Sequence, residues 1–162
     1  MKENHNIPPL FDKNSRILIL GSFPSVKSRE QAFFYGHPQN RFWRVLSSVL
    51  NEPLPVTITQ KKSFLLSNHI ALFDVIKSCD ISGSSDSSIK NVIANDLTPI
   101  LNTANIKAIF CNGKKSESMY NKYIYPNINI KAIVLPSTSP ANAVYSLEKL
   151  ITSFEIILNY LK

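Results

Sequence analysis

Four short apolar runs punctuate the chain: residues 16–21 (RILILG), 70–79 (IALFDVIKSC), 107–113 (KAIFCNG) and 131–136 (KAIVLP). Their length, their content of Ile, Val, Leu and Phe and their lack of alternation predict strands buried on both faces. Between and after them, apolar residues recur at helical spacing. In QNRFWRVLSSVL, from Gln39, the residues Phe42, Val45, Leu46, Val49 and Leu50 share one face, and Pro38 suits the first turn of that helix. Near the end, Leu147, Leu150, Ile151, Phe154, Ile157, Leu158 and Leu161 form a longer helical stripe.

Strands that alternate with helices require crossover connections and hence parallel pairing. The expected fold is a single α/β domain over residues 1–162, three-layer α/β/α with a central four-stranded parallel sheet and no internal repeat. The Ser-rich stretch 82–88 (SGSSDSS) is too short to separate two domains and is expected to be a loop. A polar segment follows each strand: GSFPS, SCDISGSSDSS, CNGKKS and PSTSPANA. All four should gather at the carboxyl edge of the sheet, where open α/β folds bind ligands.

Composition changes this picture little. A chain of 162 residues with 44% apolar residues supports one full core. The net charge of +7 makes a polyanionic partner a candidate and no more. Cys79 and Cys111 sit in apolar segments, which predicts reduced, buried thiols and a cytoplasmic protein. Two thiols are too few for a four-cysteine iron-sulfur cluster. The N-terminal stretch has no apolar h-region and no run reaches ~18 apolar residues, so neither a secretory signal nor a membrane partner is expected. No GxGxxG or GxxxxGK[ST] loop follows a strand, which weighs against a nucleotide-binding α/β domain.

Five segments carry a more specific message: GSFPSVKS, FFYGHPQNRFW, LFDVIKSCDISGSSDSSI, FCNGKK and LPSTSPANA, in that order. Together they resemble the uracil-DNA glycosylase superfamily, and most closely its hypoxanthine-DNA (deoxyinosine) glycosylase branch, over roughly residues 17–143. The resemblance implies a four-stranded parallel sheet between helices, with a nucleotide flipped out of duplex DNA into a pocket at the sheet's carboxyl edge. It implies double-stranded DNA containing deaminated bases as the partner, hypoxanthine first and uracil second, and no metal or organic cofactor. A lyase step would need an activated amine, and no lysine is singled out for it, so a monofunctional enzyme acting as a monomer is expected.

The resemblance also distributes roles. Tyr35 stands where mismatch-specific uracil glycosylases, which share HPxNRFW, stack an aromatic on the flipped base; residue type alone equally allows a core aromatic, as for Phe33, Phe34, Phe42 and Trp43. Asp74 stands where other branches read the base edge with Asn. A carboxylate there would accept N1–H of hypoxanthine or N3–H of uracil and reject adenine and cytosine; a helix cap or ion pair is the alternative. Most branches place Asp or Asn between Gly and Pro to orient water, whereas this chain has Phe23 in Gly21-Ser22-Phe23-Pro24, as the hypoxanthine branch does. In that branch the Asn of HPxN, here Asn40, is implicated in catalysis, and an amide would orient water or the leaving base by hydrogen bonds.

Backbone donors around Ser22–Ser25 and His37 would stabilise developing charge, unless His37 only bonds backbone ahead of the helix. Ser25 replaces the usual Gly and would narrow the pocket or alter the loop. Ser137, Ser139, Pro140, Ala141 and Asn142 fall in the loop that the superfamily places against the minor groove. Lys114 and Lys115 read as phosphate contacts or as surface charge alike, whereas Arg41 and Arg44, three apart, are expected on one helix face, with Arg44 read as surface. Ser84, Ser85, Asp86 and Ser87 match a family segment with no role readable from residue type. The rival readings are a mismatch-type uracil or thymine glycosylase and a relative that binds damage without cleaving it.

Overall fold

The structure, a computed structural model, describes residues 2–162. Its strands are β1 (Lys2–Asn4), β2 (Ile17–Gly21), β3 (Ile70–Asp74), β4 (Ile76–Asp80), β5 (Lys90–Ala94), β6 (Ala108–Asn112) and β7 (Ala132–Leu135). Four of them form a parallel sheet in the order β3-β2-β6-β7, and the other three form a smaller antiparallel sheet, β1-β4-β5. Every residue of β2 and of β3 is buried. Because successive side chains in a strand point to opposite faces, the sheet must be covered on both, which gives the three-layer α/β/α arrangement.

The covering helices are α1 (Val26–Gln31), α2 (Phe42–Leu50), α3 (Ile58–Ser67), α4 (Thr98–Thr103), α5 (Lys114–Tyr123), α6 (Tyr125–Ile128) and α7 (Leu147–Phe154). Helix α2 packs on α7, α3 lies along β3, and α5 rests against β6 and β7. The chain leaves β2 toward β3 on one side and later crosses to β6 on the other. This reversal opens a crevice at the carboxyl ends of the central strands. Cys79 and Cys111 are free thiols buried in the core. Burial pushes Cys111 up to about 12 and raises Cys79 as well.

Three expectations need correction. The apolar run 70–79 is two strands in two sheets, broken at Val75. There the backbone N–H groups of Val75 and Ile76 donate to the carbonyls of Gly21 (2.8 Å) and Ser22 (3.0 Å), and the Asn95 amide donates to the carbonyls of Asp74 (2.9 Å) and Ile76 (3.2 Å). Strand β3 is wholly buried and β4 mostly so, and no Gly, Pro or Asn in the run marks the break after Asp74. Its polar loop therefore does not follow β3 directly: residues 82–88 join β4 to β5 and fold back to the crevice.

Helix α2 begins at Phe42 rather than around Pro38, because the Asn40 side chain accepts the Phe42 N–H at 3.0 Å and sets the helix start there. The final stripe is an α-helix only to Phe154 and continues as a 3₁₀ turn over Glu155–Tyr160, which moves Leu158 and Leu161 partly out of the core.

Candidate active site

A cavity of about 330 Å³ lies at the carboxyl edge of the parallel sheet, at the small end of the range for ligand sites. It receives residues from the ends of all four parallel strands: Gly21 to Ser25, Asp74, Asn112, and Ser137 to Ala141. Tyr35, His37 and Asn40 close one side, and Ser84 and Asp86 reach over from the Ser-rich loop.

Asp74 is 4% exposed at the end of β3, with Gly21 as its register partner on β2. A Cβ on Gly21 would lie 2.4 Å from Asp74 Oδ1, so only glycine leaves room for the carboxyl in this place. The other oxygen, Oδ2, meets His5 Nε2 at 2.8 Å, with the two side chains 3% and 5% exposed. His5 Nδ1 accepts the Ile7 N–H at 3.2 Å, so in the neutral ring the proton sits on Nε2 and is donated to Asp74. Oδ1 keeps no hydrogen-bond partner among the described residues and borders the cavity as an acceptor. Of the two sequence readings of Asp74, the ion-pair geometry and the cavity-facing acceptor are both present, one on each oxygen.

Tyr35 is stacked on Phe42 with ring centroids 3.9 Å apart and planes 14° from parallel, which leaves its other side to the cavity. Its φ of 52° is unfavourable for an aromatic residue, and the Trp43 indole holds the turn by donating to the Tyr35 carbonyl at 3.2 Å. The phenol is buried without a hydrogen-bond partner. Burial raises its pKa far above the ordinary value and the Asp74 charge adds to the rise, while the Asn112 amide opposes them more weakly; the group stays protonated.

Asn40 offers only part of its amide. Its Oδ1 accepts both the Phe42 N–H and the Thr138 hydroxyl (2.8 Å), and Thr138 Oγ1 in turn accepts from Asn112 Nδ2 at 3.0 Å. Thr138 is fully buried, and its own N–H donates back to Asn112 Oδ1 at 3.1 Å. The free end of Asn40 is therefore its NH₂, a donor. His37 Nδ1 accepts the Gln39 N–H at 3.1 Å, the backbone bond expected of it ahead of the helix, and the ring also lines the cavity.

The other sequence candidates divide. Ser22 and Phe23 line the cavity, and Phe23 also packs edge-on to His5. Ser25 lines it too, but its hydroxyl is the N-cap of α1, accepting from Ser28 N at 3.1 Å, so it acts on loop geometry. Ser137, Ser139, Pro140 and Ala141 form one lip. Asn142 does not line the cavity; its amide ties back to the Ser137 carbonyl at 3.0 Å. Lys114 is exposed at the start of α5, outside the cavity. Arg41 precedes α2 and does not share a helix face with Arg44: its guanidinium donates to the carbonyls of Ser139, Asn142 and Tyr145, so it braces the lip instead of facing solvent. Arg44 is exposed.

Sequence reasoning missed His5, Asn112 and Thr138. Each reaches the site through a partner 26 to 98 residues away, which no local pattern announces. It also left Asp86 without a role, although the carboxyl accepts the Ser22 hydroxyl at 3.2 Å over the cavity.

The family model of the uracil DNA glycosylase superfamily matches residues 8–162, so His5 lies just ahead of the matched region. A hypoxanthine DNA glycosylase of Methanosarcina barkeri is 38% identical over 116 residues, which is 70% of this chain and 73% of that protein. A second protein of that name, from Methanosarcina acetivorans, is 35% identical over 141 residues, 86% of this chain and 88% of the relative. The solution NMR structure of a candidate uracil DNA glycosylase from Methanosarcina acetivorans superposes with a TM-score of 0.83 at 31% identity, covering 99% of both chains.

Proposed function

The chain belongs to the uracil DNA glycosylase superfamily, and we propose that it is a monofunctional DNA glycosylase that hydrolyses the N-glycosidic bond of deaminated nucleotides in duplex DNA, deoxyinosine first and deoxyuridine second. The observation that carries the reading is the Asp74 carboxylate, buried at the cavity floor with one oxygen held by His5 and the other open to a ligand. Hypoxanthine N1 and uracil N3 carry hydrogens that this oxygen accepts. The corresponding nitrogens of adenine and cytosine present lone pairs, which a carboxylate repels. A buried acceptor left facing a lone pair costs more than a lost contact, so the carboxylate discriminates against adenine and cytosine, the parents of the two deaminated bases.

Tyr35 supplies a planar wall for the flipped base, and stacking offsets part of the few kcal/mol that extrusion costs. Asn40, held through its oxygen, donates from its NH₂ to acceptor atoms of the departing base as negative charge builds on it. The lip from Ser137 to Ala141, braced by Arg41, meets the DNA backbone beside the flipped nucleotide. In keeping with two free, buried thiols, this reading has the enzyme working as a monomer in the cytoplasm.

The test is alkali-induced strand cleavage of labelled duplexes carrying deoxyinosine, deoxyuridine or only normal bases. Cleavage at deoxyinosine above that at deoxyuridine, and none in the normal duplex, is the expected result. Tight duplex binding with no cleavage at either base would favour a damage binder without catalysis.

A further inference from the structure

Hydrolysis of a glycosidic bond needs a group at the sugar that accepts the proton of the attacking water, and the cavity offers few. Asn40 has no basic atom, and its oxygen is already shared by two donors. His37 accepts a backbone N–H on Nδ1, so in the neutral ring Nε2 carries the proton and cannot take another. The Tyr35 phenol is buried and protonated. Among the described residues lining the cavity the carboxylates are Asp74 and Asp86, and Asp74 lies at the floor with His5 on one oxygen.

From this elimination and from its place at the cavity mouth, we infer that Asp86 is a catalytic residue that holds and deprotonates the attacking water. The inference rests on the glycosylase reading above and names the residue that completes it. Asp86 belongs to the exposed loop 82–88, while Asp74 is 4% exposed below it. A base whose edge meets Asp74 therefore has its sugar toward the mouth, on the level of Asp86. The loop is fixed in advance: Ser84 Oγ accepts the Val26 N–H at 2.9 Å, Arg29 donates to the Gly83 carbonyl at 2.6 Å, and Ser22 donates to Asp86 Oδ1 at 3.2 Å. Asp86 Oδ2 accepts no hydrogen bond from the described residues and is left for water.

In the step itself the water oxygen bonds to C1′ as the C1′–N bond breaks and its electron pair leaves with the base. The water proton passes to Asp86 and then, through solvent, to the departed base, so that free base and abasic sugar result. The carboxylate also lies where positive charge develops on the sugar, which it stabilises. The charged groups that act on Asp86 are Lys115 at the start of α5 and Asp74 on β3. Loss of surrounding water raises its pKa above the usual carboxylate value, the Ser22 hydrogen bond and Lys115 oppose this more weakly, and the Asp74 charge adds to the rise.

The deciding experiment compares the full-length protein with Asp86→Asn in single-turnover excision from a duplex with one deoxyinosine, across pH, together with binding to a duplex carrying a tetrahydrofuran abasic analogue. The amide keeps the shape and can still accept from Ser22, so a loop-anchoring role would survive the change. The expected result is a loss of about a hundredfold or more in rate, abasic-analogue affinity within a few-fold, and disappearance of the acid limb. In the parent protein that limb falls as pH drops through the raised Asp86 pKa. Because the folded pKa is raised, Asp86 contributes stability only while protonated, so at neutral pH Asp86→Asn should melt no lower than the parent.

An active parent with an Asp86→Asn rate within a few-fold, or with the acid limb intact, overturns the assignment and leaves the glycosylase reading standing. A parent protein that releases neither hypoxanthine nor uracil overturns both.

Discussion

The two lone-pair sites of the Asn40 oxygen are taken by Phe42 N–H and the Thr138 hydroxyl, so the precision of its NH₂ depends on a threonine that touches no solvent. Thr138→Val keeps the shape and removes the hydroxyl. It leaves Asn112 Nδ2 and Asn40 Oδ1 each short of a partner, which should cost about 1–3 kcal/mol in a denaturant melt. Single-turnover excision should fall by more than affinity for abasic-analogue DNA does, and an equal fall in both would make Thr138 a purely structural residue. At this scale the family motifs pointed to Tyr35, Asn40 and Asp74, and the fold brings all three to the cavity lining, although only Asp74 stands at a strand end. The sequence was uninformative for Thr138, Asn112 and His5, whose contacts join distant segments, and for Asn142 and Arg41, which carry the chemistry of ligand binding but bond backbone carbonyls, Asn142 within its own loop and Arg41 across to that same loop.

Among the elements, the N-terminal strap has the clearest consequence for chemistry. Strand β1 pairs antiparallel with β4, His5 N–H donates to the Lys77 carbonyl at 2.7 Å, and Glu3 meets Arg29 at 3.3 Å; together these deliver the His5 ring to the back of Asp74. Hydrogen bonds to charged groups contribute about 1.5–3 kcal/mol, so His5→Leu should lower deoxyinosine excision about tenfold or more. In an Asp74→Asn background the same change should add little, because an amide needs no such donor. Equal losses in both backgrounds would show that the strap acts on folding alone. The strands of the parallel layer, and helices α2 and α7, were legible from apolar runs and helical spacing. The antiparallel sheet was not, since β1 reads as a polar tail, β5 is half-exposed, and β4 continues the apolar run of β3 without a turn residue.

For the molecule as a whole, the charge of +7 should act through the DNA backbone. Affinity for an undamaged duplex is expected to fall linearly in log–log terms with salt, by about tenfold or more between 50 and 200 mM if two or more phosphates are neutralised. A flat response in a filter-binding titration would count against contact led by phosphates. The fold class was legible at this level because parallel strands oblige crossovers, whereas net charge alone could not say where DNA would lie. The two sealed thiols have a practical side. Cys79 and Cys111 are free, about 1% and 0% exposed and held protonated, so the folded chain presents no thiolate to a maleimide. Val144, 81% exposed just beyond the cavity lip, can thus be exchanged for a single cysteine and carry one fluorophore, with the native background silent, to time the lip's arrival on DNA in a stopped-flow trace.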